Sequence, residues 1–583
     1  MDCLLLCPML YFAVFTSDTF SSLPFSSIFL PTILLLGFMV SSPASFCSLR
    51  ILHHLVGNSL FFNVDQTLND FRVFKNSVDA IDLSGDHNVD AEWLAYIGGF
   101  KCLQSLILSD CHRINNSALW PLIGLSELKE IDLSRCTKLS DPGIKYLLSI
   151  PTVEILRISQ TSLTAEGVSS LVSLKKLSAL ELGGLPVTDK VLFTLQALSK
   201  LEHLDIWGSE ITDFGALTLS NFPNLRSLNI ALTNVSTLPT IKSIESINMS
   251  HCTIASLSSD SLTKLVLSGS SLTSNYESFL DIETSLLTYL DVSNSPLSDF
   301  FIRSHLKAIK YLDLTSTSME DTSLELIAEV GSNLKHLNLN KTKVTSKGVS
   351  FLVGKVPVLQ HLSLSQTLIT DAVIPYLSSM PSLKTLNLSR TQIRGHDEEK
   401  RRSLEGLKRL GELESVNLEN TKVREDGLRP LVGIPNLKAL FLRNESLTDY
   451  SLHLMAYNHK LEHLGFCDAV VTDDGIASFD PPKTLQTLDL SGCWLLSNSF
   501  VASFCGSHST IKVVHEVVEG IPMLHKRVVK SSQMKSSVSP LVSHRFVDQR
   551  IKYNREELLA EQFSSASMRL PPFHVLQLLT DTG

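Results

Sequence analysis

Four histidines and two tyrosines, His203, His336, His361, His463, Tyr289 and Tyr311, occupy one place of a spacing that recurs along the chain. Two residues further on stands a column of short acids and amides: Asp82, Asp132, Asp205, Asp291, Asp313 and Asp489, with Asn229, Asn248, Asn338, Asn387 and Asn417. Alternate residues of a strand share a face, so both columns would line one wall. Such a wall could hydrogen-bond and stack against a polypeptide. Carboxylates dispersed one per unit give no acid–base pair of defined geometry. No Walker loop, GxSxG elbow, HExxH helix or kinase set is present, and the clustered ligands of a zinc site are missing. The residues therefore imply a non-catalytic chain with no cofactor and no metal.

A second constellation lies near the carboxyl end. Tyr553-Asn554-Arg555-Glu556-Glu557-Leu558-Leu559 fits Tyr-x4-Leu-Φ, where Φ is hydrophobic, and no other tyrosine of the chain does. Asn554 is a good N-cap, and Glu557 at the third helical position completes a capping box. Tyr553 then falls at N′ and Leu558 at N4, the spacing of a hydrophobic staple. The spacing predicts a helix nucleus presenting Tyr553, Leu558 and Leu559, flanked by the basic Arg550, Lys552 and Arg555. Glu556 and Glu557 favour the positive helix start. A helix this short is marginal alone in water, so it is expected to order on a partner.

The elements that position the first constellation follow from periodicity. The pattern LxxLxLxx(T/C)x(I/L/V) begins at Val78, Leu103, Leu128, Val153, Leu177, Leu201, Leu225, Ile244 and Leu262, then at Leu287, Ile309, Leu334, Leu359, Leu383, Leu413, Leu437, Leu461 and Leu485. Leucines at the first, fourth and sixth places alternate as a short strand requires, and the following (V/I)TDxGxxxL half has helix spacing. About eighteen stacked units of this kind bury a continuous core that no single unit could form. The expected fold is an α/β solenoid with a parallel concave sheet and convex helices. The ninth place holds Cys111, Cys136, Cys252 and Cys493, or Thr161, Thr233, Thr317, Thr342, Thr367, Thr391 and Thr421. Small hydrogen-bonding side chains suit the tight turn after the strand, so these cysteines are read as turn residues.

Two irregularities interrupt the period. The units beginning at Leu225 and Ile244 are too short for a full convex helix, and the unit beginning at Leu383 carries the charged run HDEEKRR. A change in curvature and a solvated loop are the expectations. The organisation is then an apolar segment at 1–49, an N-terminal cap at 50–77, the array at 78–507, a linker at 508–545 and a tail at 546–583.

A chain of 583 residues with 19% charged residues and net charge −9 is unsuited to nucleic acid, which needs a basic surface. Ten cysteines without CxxC pairs fit reduced thiols in the cytosol or nucleus better than a disulfide framework, and the cytoplasm is the expected location. Residues 19–49 carry no charge, which leaves membrane or secretory use open, but no basic region precedes them as a signal peptide requires. Six Asn-x-Ser/Thr sequons arise readily in a chain so rich in Asn, Ser and Thr.

The ladder of repeats resembles the cysteine-containing subfamily of leucine-rich repeats, found in many F-box proteins and plant scaffolds. YNREELL looks like the motif by which partners of the mRNA cap-binding initiation factor (the 4E subunit) engage its dorsal surface. That resemblance implies core contacts from Tyr553, Leu558 and Leu559. An array joined to such a motif resembles the plant CERES-type proteins and implies modulation of translation initiation, with further protein partners on the concave face. Two rival expectations belong to other classes. One is an F-box-like substrate receptor of a ubiquitin ligase, with residues 46–56 as a remnant adaptor helix. The other is a secreted or membrane-attached repeat receptor.

Overall fold

The computed structural model describes residues 78–272, 280–282, 284–296, 306–397 and 399–515. The apolar segment 1–49, the cap 50–77 and residues 553–559 lie outside the described residues. The chain divides into two compact units, Met1–Thr233 and Asn234–Gly583.

Nineteen short parallel strands are distributed between these units. In the first unit the ladder runs in strict register, Ala80↔Ser105↔Glu130↔Ile155↔Ala179↔His203↔Ser227. In the second it runs Ser246↔Lys264↔Tyr289↔Tyr311↔His336↔His361↔Thr385 and on through Ser415↔Ala439↔His463↔Thr487↔Lys512. Each unit is an α/β leucine-rich-repeat solenoid. The unit beginning at Leu334 shows why: Leu334, Leu337 and Leu339 are buried beneath the strand, and Val344, Val349 and Leu352 meet them from the helical half. Burying one such side chain stabilises the fold by about 1.5–3 kcal/mol.

The turn after each strand follows one rule. In every unit except that beginning at Leu437, the eighth residue takes a left-handed conformation, as at Gly184 (φ 71°), Asp110 (φ 62°) and Leu232 (φ 57°). The ninth residue closes this turn in two distinct ways. Threonines donate to the sixth-place carbonyl of their own unit, as Thr342 Oγ1 to Leu339 O at 2.7 Å and Thr367 Oγ1 to Leu364 O at 2.6 Å. Cys111, Cys136 and Cys493 instead donate to the sixth-place carbonyl of the preceding unit: Leu83 O at 3.2 Å, Leu108 O at 3.3 Å and Phe466 O at 3.2 Å.

The (V/I)TDxG half is explained by a clasp between neighbours. Asp321 accepts from both the backbone N (2.8 Å) and Oγ1 (2.6 Å) of Thr345, the N-cap of the next helix, Ser346–Ser350. Asp141 holds Thr164, and Asp449 holds Thr472, in the same way.

The two irregularities have structural causes. The short units at Leu225 and Ile244 have no room for a helix; they carry Thr237–Leu238 and Ser256–Ser259 instead, which join Leu280–Ile282 of the following unit in a second, three-stranded parallel sheet. The charged run closes on itself: His396 bridges to Arg402, and exposed Arg401 pairs with Asp397 at 2.8 Å and Glu399 at 2.9 Å. Buried Asp371 anchors the loop base by accepting from the backbone N of Arg394 and Gly395. The main sheet also runs past residue 507. Lys512–Val514 pairs with Thr487–Asp489, so the first residues expected in the linker are part of the sheet.

Candidate functional site

The third place of each unit, the first residue of its strand, projects to the sheet face opposite the helices. Its register brings Tyr289, Tyr311, His336 and His361 onto four consecutive strands. The Tyr289 and Tyr311 rings stack with centroids 4.1 Å apart and planes 5° from parallel. His336 and His361 stack equally well, at 4.1 Å and 6°. Tyr311 and His336 join the two pairs at 5.6 Å with a 35° tilt. Lys264 ends the row, its Nζ 4.6 Å from the Tyr289 ring centroid, a cation–π arrangement.

Burial sets the charge of this ladder. Desolvation, with smaller contributions from His361 and Lys335, lowers the His336 imidazole to about 4. His361 is lowered by burial and then by Lys384. Both rings are therefore neutral at pH 7 and offer a donor and an acceptor each rather than a positive charge. Burial pushes both tyrosine hydroxyls up, and pushes the Lys264 ammonium down against the opposing pull of Asp291.

The other two histidines of the column stand apart. His203 is exposed in the first unit. His463 is separated from His361 by Thr385, Ser415 and Ala439, and its Nδ1 lies 2.8 Å from Thr487 Oγ1. The tail residues Tyr553, Leu558 and Leu559, with Arg550, Lys552, Asn554, Arg555 and Glu557, lie outside the described residues.

The fifth-place column is not a row of free anions. Each acid or amide bends over its own turn and accepts from the backbone N two residues on. Examples are Asp82 from Ser84 (2.9 Å), Asp313 from Thr315 (2.8 Å) and Asn387 from Ser389 (3.0 Å). Neighbours also bond across strands, as Asn338 Nδ2 to Asp313 Oδ2 at 3.0 Å. Burial pushes Asp205 up to about 7 against the hydrogen bonds from Asn229 and the Trp207 backbone, and it raises Asp291 and Asp313 as well. These groups build turns first and offer little charge to a partner.

Sequence reasoning passed over two ion-pair clusters. In the first unit Arg157 spans Glu130 (2.6 Å) and Glu181 (2.9 Å) on adjacent strands. In the second, Arg443 lies between Asp468 (2.9 Å) and Glu419 (3.5 Å). Opposite charges one repeat apart were the available signal. Among the described residues, no group of three or more His, Cys, Asp or Glu could hold a metal ion. No helix there is long and apolar enough to cross a membrane.

Comparison with known proteins bears on the repeat. A family model described as "Leucine Rich repeat" matches residues 332–353, which overlap the regular unit beginning at Leu334. No curated protein matches the chain. Similar solved structures include mouse RP105 in its complex with MD-1, at 16% identity, 75% of this chain, 79% of that one and a TM-score of 0.45. Another is TLR13 in complex with ssRNA13, at 16% identity, 71% and 72% coverage and a TM-score of 0.41. A leucine-rich-repeat protein of Leptospira interrogans covers 98% of its own length and 77% of this chain at 16% identity and a TM-score of 0.34. Strand register, turn geometry and the matched unit agree on one statement: the chain carries the leucine-rich-repeat fold.

Proposed function

We propose that this chain is a non-catalytic protein-interaction scaffold of the cytoplasm. Its sheet face engages polypeptide partners, and its tail docks on the 4E subunit of the mRNA cap-binding initiation factor, modulating translation initiation. What supports the scaffold reading is the row from Tyr289 to His361. It is a continuous strip of stacked, uncharged rings whose polar edges can meet a polypeptide without first shedding a charge. What supports the factor is the heptad itself, in which Tyr553, Leu558 and Leu559 carry the apolar contacts and Asn554 and Glu557 favour the helix start.

Isothermal titration of the full chain with the purified factor tests the tail. Tyr553→Ala with Leu558→Ala should weaken binding at least about a hundredfold, because truncated aromatic and aliphatic anchors each cost on the order of 2 kcal/mol or more. Urea unfolding of the array should be unchanged. Equal affinity of wild type and double variant would remove the translational assignment and leave the scaffold.

A further inference from the structure

Two adjacent units depart from the rest in the length of their strands. At the fifth place, where most units carry Asp or Asn, stand Phe441 and Gly465. Their strands, Ala439–Arg443 and His463–Cys467, are five residues long instead of three, and pairing continues through Leu442↔Phe466 and Arg443↔Cys467. The unit beginning at Leu437 is also the one without a left-handed eighth residue.

The glycine has a defined use. A β-carbon at position 465 would lie 3.0 Å from Phe441 Cδ1 and 3.5 Å from its Cα, so the missing side chain lets the Phe441 ring lie across the neighbouring strand. The ring is half-buried and makes an apolar spot on an otherwise polar face. Around it the charge balance is negative. Lys438 is committed to Glu414 at 3.0 Å, and Arg443 is shared by Asp468 and Glu419. Glu462, the residue before the strand His463–Cys467, adds a further carboxylate.

We infer that this spot is the docking site of the chain's own segment at residues 526–530, Lys-Arg-Val-Val-Lys. Val528 and Val529 would sit on Phe441, with Lys526, Arg527 and Lys530 among Glu419, Glu462 and Asp468. Three features of the chain select this occupant. The described chain ends at His515, directly after Lys512–Val514, which is three strands from Ala439–Arg443; at about 4.8 Å per strand that is roughly 14 Å. The residues between His515 and Lys526 can span about 35 Å when extended. The segment is basic, apolar, then basic, which complements an apolar spot ringed by acids, and tethering raises its effective concentration to the millimolar range. The clasp stands whether or not Tyr553 docks on the cap-binding factor, since that motif lies beyond it.

Carbodiimide cross-linking of the full chain, read by mass spectrometry, tests the clasp. Links from Lys526 or Lys530 to Glu419, Glu462 or Asp468 are expected, with a yield independent of protein concentration. Val528→Ser with Val529→Ser keeps every lysine and leaves the array untouched; it should cut those links at least fivefold and speed tryptic cleavage after Arg527. Phe441→Ser should do the same from the other side. Links spread equally over Glu130 and Glu181, a yield that rises with concentration, or indifference to the valine variant would each overturn the inference.

Discussion

A β-carbon on Gly215 would lie 2.1 Å from Oδ1 of Asp189 in the preceding repeat. That oxygen accepts the backbone N of Thr212 at 2.8 Å, while Oδ2 accepts Thr212 Oγ1 at 2.7 Å. The TDxG sequence therefore encodes one joint between neighbours: the aspartate reaches forward, the threonine receives it, and the glycine leaves room for it.

Gly215→Ala should destabilise the first unit by about 1–3 kcal/mol through overpacking. Asp189→Ala should cost a similar amount, about 1–3 kcal/mol, by orphaning the Thr212 donors. In the double variant the alanine at 215 finds the carboxylate gone and its cost largely vanishes. Urea midpoints of the four proteins measure this, and additive losses would refute the joint.

Thiol reactivity should separate the cysteines. Burial is the largest influence on Cys111 and Cys136 and pushes each up to about 12, well above an ordinary thiol. Reaction requires the thiolate, so both should stay unlabelled by iodoacetamide at pH 8 in the folded protein. Exposed Cys102 should label at once. Mass spectrometry of peptides from native and urea-unfolded protein reads the difference. Equal labelling of Cys102 and Cys136 in the native state would contradict the turn assignment.

The His336 imidazole, lowered to about 4 by burial, binds its proton more readily in the unfolded chain. Its contribution to stability is therefore fully present above the ordinary histidine range near 6.5 and fades as pH falls towards 4. His336→Tyr keeps the stack and removes the titration, so it should lessen the loss of stability between pH 6.5 and 4 by about 1 kcal/mol once solvent screening is allowed for. Parallel curves for variant and wild type over that window would show that the ring is already solvated.

The strands were legible because leucine alternation and a constant period leave one way to stack the units. The aromatic row was legible for the same reason, since a fixed register turns equal places in sequence into neighbours in space. What escaped was side-chain direction. Asp82 and Asp313 stand in a column that alternation places on the open face of the sheet, yet their carboxylates turn back to the chain two residues on, and no periodicity distinguishes that from pointing outward. The isolation of His463 follows from Thr385, Ser415 and Ala439 between it and His361, which a list of histidines conceals. The left-handed eighth residue was hidden because Asp110, Gln160 and Leu232 occupy it as well as glycine. The local turn, not residue preference, imposes that conformation.

The two ways of closing the turn divide mechanical duty along the array. A threonine secures only its own coil, so that coil can loosen without unfastening the next. A cysteine at the same place reaches back to the coil before it, and three that do so, Cys111, Cys136 and Cys493, lie near the first and last described coils. Each such thiol couples the loosening of its own turn to that of the neighbouring coil, whereas the turns from Thr317 to Thr421 are closed one coil at a time.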